Sequence, residues 1–142
     1  MLISLKLKGG FVETRGMVAD TTVLVTMDPP TAKEGVILPM SVYWHCSVLV
    51  DETVFLLGGY YDSNDNLALS INDGSITFKA SMIHSRYQHA CASFTGSDGK
   101  VQIAVAGGSV SENQQRATDI YSIDDDSWRA GNLICKIASF GT

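Results

Sequence analysis

A chain of 142 residues, 45% hydrophobic and 18% charged, is long enough for one domain with its own core and lies far from the composition of disorder. Its formal charge of −5 argues against a nucleic-acid surface, which needs clustered Lys and Arg, and no run of 18 or more apolar residues suggests a membrane span. Three cysteines, odd in number and widely spaced, make no disulfide framework and leave the compartment open, with a slight preference for the cytoplasm.

Residues 1–8 alternate apolar and polar side chains and read as a strand rather than a signal peptide. Gly9-Gly10 follow, then a polar loop over 11–19, a β-prone run over 20–26, a turn at Asp28-Pro29-Pro30 and a last run ending near Ile37. A second unit starts with the run 45–50, led by His45. It continues through the apolar segment 54–57, Gly58-Gly59, a loop over 60–65, the run 66–71, the turn Asn72-Asp73-Gly74 and a run ending near Phe78. The third unit repeats the order: a run over 89–94 led by His89, then 101–106, Gly107-Gly108, a loop over 109–117, the run 118–123, a turn over 124–126 and a run ending at Trp128. The glycine pairs lie 49 residues apart both times (58 − 9 and 107 − 58). Each complete unit is thus four short strands, a to d, separated by Gly, Asp, Asn and Pro turns. No segment has helical apolar periodicity. Four strands repeating at about 50 residues is the period of a propeller blade.

In detail, the third unit resembles the kelch family. Met82-Ile-His-Ser-Arg86-Tyr-Gln-His89, the strand closing in Gly107-Gly108, and Tyr121 seven residues before Trp128 carry the likeness. The second unit keeps Leu38-Pro-Met40, His45 and Gly58-Gly59 but has Phe78 where Trp is expected, and the first keeps only Gly9-Gly10 and the run 20–26. The resemblance implies an all-β fold of kelch-type β-propeller blades, each of four antiparallel strands. The blades would run over 1–37 (partial), 38–80 and 81–132, with 133–142 an unassigned tail. Such families close five to seven blades, so the expected ring is incomplete. A fragment of a longer protein is the favoured reading, and otherwise open strand edges invite self-association. Glycine at the end of a central strand permits a sharp turn and close backbone approach. Tyr121 and Trp128 would fill the seam between blades, each with a polar group needing a partner. Arg86 and His89 are assigned to scaffold packing.

No residue pattern signals catalysis. His45-Cys46 and His89-Ala-Cys91 lack the paired spacing of zinc ligands. Residues 62–66 open like a calcium loop, but Leu67 stands where Gly is needed, so a solvated turn is expected. No nucleophile elbow and no phosphate loop occurs, and neither cofactor nor metal is expected. With the two His residues aligned, Cys46 and Cys91 fall on opposite faces of their strands. Such faces of neighbouring blades either meet or point apart, so a disulfide is allowed without being implied, and two buried thiols are the expected state.

The resemblance therefore implies a protein-interaction module that binds a protein partner, with neither nucleic acid nor membrane involved. Its candidate surface comprises the loops over 11–19, 60–65 and 109–117 and the inter-blade segments 41–44 and 83–87. Arg15, Tyr61, Tyr87 and Arg116 are the candidate anchors, because Tyr and Arg are enriched at binding hot spots. The alternative is a piece of a kelch-like propeller enzyme of copper-radical oxidase or sugar-acid isomerase type.

Overall fold

The structure, a computed structural model, describes residues 3–7, 11–12, 17–18, 21–27, 29–39, 44–59, 63–111 and 113–131. The chain divides into two compact units, Met1–Tyr43 and Trp44–Thr142. All regular structure among the described residues is β, with no helix.

In the first unit, β1 (Ile3–Leu7) and β5 (Pro30–Ile37) flank β4 (Thr21–Met27) in an antiparallel three-stranded sheet. Ile3 pairs with Thr26 and Leu7 with Thr22, and the register shifts once between β4 and β5, at Thr21/Val23. The stretch expected to be an irregular loop contains a small hairpin instead. Its strands are β2 (Phe11–Val12) and β3 (Met17–Val18). Two-residue strands pair too few groups to leave an alternation visible in the sequence.

The second unit holds two antiparallel four-stranded sheets. One runs β6 (Cys46–Val50), β7 (Thr53–Gly59), β8 (Ser63–Ser70), β9 (Ile76–Phe78) in that spatial order. The other runs β10 (Ala90–Thr95), β11 (Val101–Ala106), β14 (Thr118–Ser122), β15 (Ser127–Ala130). Between β11 and β14 the loop folds into a hairpin of β12 (Ser109–Val110) and β13 (Asn113–Gln114). The segment 62–66 departs from the sequence expectation: from Ser63 onward it is strand, not turn. Asn66 is buried there, and its Nδ2 donates to the Ala80 carbonyl at 3.3 Å. Asn64 donates likewise to the Met82 carbonyl at 3.2 Å. These side-chain bonds tie β8 to the chain that follows β9, which short polar residues alone do not announce.

Alternation decides which residues enter the core. Val48 on β6, Phe55 and Leu57 on β7 and Ala68 on β8 lie on one face of their sheet. Together with Met82, that face packs against Ile103 and Val105 on β11 and Tyr121 on β14. Cys91, Ile123 and Trp128 pack against this cluster from its margin. Val54, Leu56, Leu67 and Leu69, on the opposite face of the β6–β9 sheet, are buried as well. Face-to-face burial of the cluster from Val48 to Tyr121, about 1.5–3 kcal/mol for each large side chain, is the main force joining the two sheets.

Two further devices fasten this seam. Cys46 on β6 and Cys91 on β10 form a disulfide with Cα atoms 6.0 Å apart. The expectation of two free thiols is thereby corrected: the two strand faces meet across the seam, so the offset of one residue brings the sulfurs together. At the far strands, Trp128 Nε1 donates to the Ala80 carbonyl at 2.6 Å. The Tyr121 hydroxyl donates to Asp126 Oδ1 at 2.6 Å, and the same oxygen accepts from the Ala80 amide at 2.9 Å. Phe55 meets the edge of Tyr121 at 5.8 Å between ring centroids, and Tyr121 lies 4.9 Å from Trp128.

Candidate functional site

The segment between β9 and β10 and the connection between β11 and β14 come together at one end of the two sheets. Arg86 organises this end. Its side chain is fully buried; Nη1 donates to the carbonyls of Gly107 (2.9 Å) and Ala117 (2.8 Å), and Nη2 donates to Asp119 Oδ2 at 3.1 Å. Its own carbonyl accepts the Gly59 amide at 3.0 Å, and its amide donates to the Ser63 carbonyl at 3.1 Å. One residue thus ties both sheets at this end. Burial lowers the Arg86 pKa and the Asp119 charge opposes that, so the guanidinium stays charged and paired.

Asp119 is also completely buried. Besides Arg86, its Oδ2 accepts the His84 amide at 3.1 Å, and its Oδ1 lies 2.7 Å from His84 Nδ1. A carboxylate paired to a guanidinium only accepts, so His84 Nδ1 carries the proton and donates to it. The His84 side chain is 37% exposed.

The glycine pairs make this close approach feasible. Gly58 (φ +63°) and Gly108 (φ +88°) both adopt the left-handed region. A Cβ on Gly58 would stand 2.6 Å from the Arg86 carbonyl oxygen, and one on Gly108 would stand 2.6 Å from that of Tyr87. His89 lies against both glycines. Its two ring nitrogens, and Nδ1 of His45, are buried with no hydrogen-bond partner among the described residues. Burial, reinforced by the Arg86 charge, pushes the His89 pKa down to about 4, and burial also lowers that of His45.

Tyr87 is held in the same frame: its amide and carbonyl exchange bonds with Ser109, at 3.0 and 2.9 Å. Its ring stacks on Trp44 with centroids 5.6 Å apart and planes 24° from parallel. The Trp44 carbonyl accepts the Gln88 amide at 2.9 Å. Trp44 and Gln88, each immediately before one of the repeated histidines, both take left-handed backbone (φ 57° and 52°). Such a conformation is unfavourable for a bulky side chain and persists where surrounding contacts enforce it. Trp44 is 47% exposed and Ile83 49% exposed.

Of the four sequence-derived anchors, Tyr87 belongs to this cluster and Arg116 is exposed in the connection between β13 and β14. Arg15 and Tyr61, like Gly9 and Gly10, lie outside the described residues. Sequence reasoning placed Trp44 and His84 within its candidate inter-blade segments without naming either as an anchor, and it passed over Asp119. The signal for Trp44 was its place before His45, where the next unit has Gln88. The signal for Asp119 was a carboxylate inside a β-prone run, which needs a cationic or hydrogen-bonding partner if it is buried.

At the other end of the seam a cavity of about 230 Å³ lies between Thr53, Ser70, Thr77 and Lys79 on one side and Ile123 on the other. Its hydroxyls share the lining with one cation, Lys79, and the Asp126 carboxylate is held below its usual pKa first by the Tyr121 hydroxyl, then by the Ala80 amide, with the Lys79 charge a smaller contribution. The mixture selects no ligand class. Among the described residues, no three His, Cys, Asp or Glu side chains gather into a metal-binding group.

No protein-family model and no curated protein matches this sequence.

Proposed function

We propose that the chain is part of a kelch-type β-propeller that serves as a protein-interaction module, docking its partner on the loop end that carries Trp44, Ile83, His84 and Tyr87. In this reading the sheets β6–β9 and β10–β15 are two consecutive blades and the sheet β1–β4–β5 belongs to a third. Their support is the glycine-closed second strand in each of the two four-stranded sheets and the Tyr121–Trp128 pair in the seam.

One observation carries the functional reading: a half-exposed tryptophan, in an unfavourable backbone conformation, stacked on a tyrosine that is itself bolted to a buried ion-paired frame. A rigid, desolvatable aromatic on otherwise polar loops is the composition of an interface hot spot. Affinity capture with the folded chain tests it. A protein retained by the wild type and lost on Trp44→Ala, with the melting midpoint unchanged, supports the reading. Retention unaltered by Trp44→Ala and Tyr87→Ala together would remove this end of the sheets from consideration. Light scattering tests the architecture separately, since a discrete dimer or trimer would mean that blades close a ring between chains.

A further inference from the structure

We infer that the outer face of the β10–β15 sheet, turned away from β6–β9, receives a sheet of a second copy of this chain; this rests on reading the two sheets as consecutive blades and names the surface through which chains assemble. Register defines the face. Gly107 follows Ala106 as Gly58 follows Leu57, and from these glycines the two sheets match strand by strand. Cys46 pairs with Leu57 as Ala90 pairs with Ala106, Val48 with Phe55 as Ala92 with Ala104, and Phe55 with Ala68 as Ala104 with Ile120. The side of β6–β9 that carries Val48, Phe55, Leu57 and Ala68 is the one on which β10–β15 packs. Its counterpart on β10–β15 is the side that carries Ala90, Ala92, Ala104, Ala106 and Ile120.

The two sides differ in cover. Val48, Phe55, Leu57 and Ala68 are buried, whereas Ala90 and Ala92 are exposed, Phe94 beside them is 38% exposed, and Ala104, Ala106 and Ile120 are half-buried. An apolar strip that repeats a packed one and lacks its cover continues the same kind of interface. They differ in bulk as well. Alanines stand where the packed side has Cys46, Val48, Phe55 and Leu57, so close packing requires large side chains from the incoming sheet. Every unit of the chain carries such residues four and two positions before its glycine pair: Leu5 and Leu7, Val54 and Leu56, Ile103 and Val105. The last two are what β10–β15 presses against β6–β9 in the existing seam. With Ala90 in the place of Cys46, the seam between copies has no cross-link and forms reversibly.

Charge favours the same occupant. Arg129, exposed on β15, pairs with Ile120 and is the charged residue this face presents on its strands among the described residues. Its counterpart on β9 is Thr77, which lines the margin of the existing seam with Lys79 and Ile123. At that margin the existing seam brings in a carboxylate, Asp126 of the β14–β15 turn, which accepts the Ala80 amide at 2.9 Å. Arg129 donates to Gln102 Oε1 at 2.7 Å and keeps further N–H groups for a second acceptor. A copy carries aspartates in the corresponding turns, Asp73 after β8 and Asp124 to Asp126 after β14. A cation on the joining face also offsets the repulsion between two chains of net charge −5. Stacked as the existing seam is stacked, the copies join head to tail.

The test is sedimentation velocity of the oxidised chain over a dilution series. The wild type should form a discrete dimer or trimer that dissociates on dilution. Ala92→Lys sets an unpaired cation at a position exposed in the single chain and should weaken association about tenfold or more, with the circular dichroism spectrum unchanged. Arg129→Glu should weaken it too, whereas Ser81→Lys, which adds the same charge to the exposed segment after β9, should leave it as it is. A wild type that stays monomeric at every concentration, or an association that Ala92→Lys leaves intact, overturns the inference. A monomer that brightens anilinonaphthalene sulfonate, with the brightening lost in Ala92→Lys, would pass the open face to a sheet of another chain and leave the blade reading standing. A monomer without that brightening would count against both.

Discussion

Breaking the Cys46–Cys91 bridge is the perturbation whose effect can be worked most directly from the structure. The cysteines are 45 residues apart, and a cross-link over that span removes about 4 kcal/mol of unfolded-state entropy at 25 °C on the chain-entropy account. The folded side changes little, because the seam keeps its apolar cluster and the bonds of Trp128 and Tyr121. With a urea dependence of about 2 kcal/mol per molar, the midpoint should fall by about 2 M on reduction. Domains of this size are stable by only about 5–15 kcal/mol, so the reduced chain should remain folded yet close to its limit. The assay is a urea melt followed by tryptophan fluorescence, with and without a phosphine reductant, in a Cys135→Ser background that prevents thiol exchange. A Cys46→Ala/Cys91→Ala variant should overlay the reduced protein. A shift on reduction of less than about 0.3 M would refute the reasoning, because a cross-link of this length must restrict the unfolded ensemble if it is present.

Stability should also fall in mild acid. Folded His89 holds its proton less well than the unfolded chain, so between pH 6.5 and about 4 the unfolded state binds more protons and is favoured as pH drops. The loss reaches on the order of 3 kcal/mol once pH is below about 4, and His89→Gln should flatten that part of the melt-versus-pH curve. Asp119→Ala strands the buried Arg86 guanidinium and should cost about 3–5 kcal/mol in a denaturant melt, whereas a neutral outcome would mean Arg86 is solvated. Tyr121→Phe removes a bond to Asp126 from a buried ring and should lower stability by about 1–2 kcal/mol without changing the urea slope.

The sheets were legible because their strands are short, regular and separated by strong turn formers. The run 101–106 matches β11 at both ends, and the turn Asn72-Asp73-Gly74 separates β8 from β9 as its composition requires. Strand β8 begins earlier than its apolar residues because Asn64 and Asn66 earn their places through side-chain bonds to the chain beyond β9, a tertiary effect. The disulfide illustrates a different gap. Alternation put Cys46 and Cys91 on opposite faces, but whether those faces meet depends on the direction in which one sheet stacks on the next, which neither sequence segment contains. The loop-end cluster was half visible: the resemblance of the third unit singled out Arg86 and hot-spot chemistry singled out Tyr87, while the coupling of His84 to Asp119 spans 35 residues and has no local pattern.

The fastenings of the seam sit at opposite edges of the two sheets. The disulfide joins the edge strands β6 and β10, while Trp128 on the edge strand β15 bonds to Ala80, just beyond the edge strand β9. A plate pinned along both margins resists splaying and sliding alike. Freezing out those motions during folding leaves little for a ligand to freeze afterwards, so association at the loops is spared much of the ordering entropy that flexible scaffolds incur. Rigid-body entropy must still be lost on association, so in the proposed interaction reading the saving covers only the internal ordering of the scaffold.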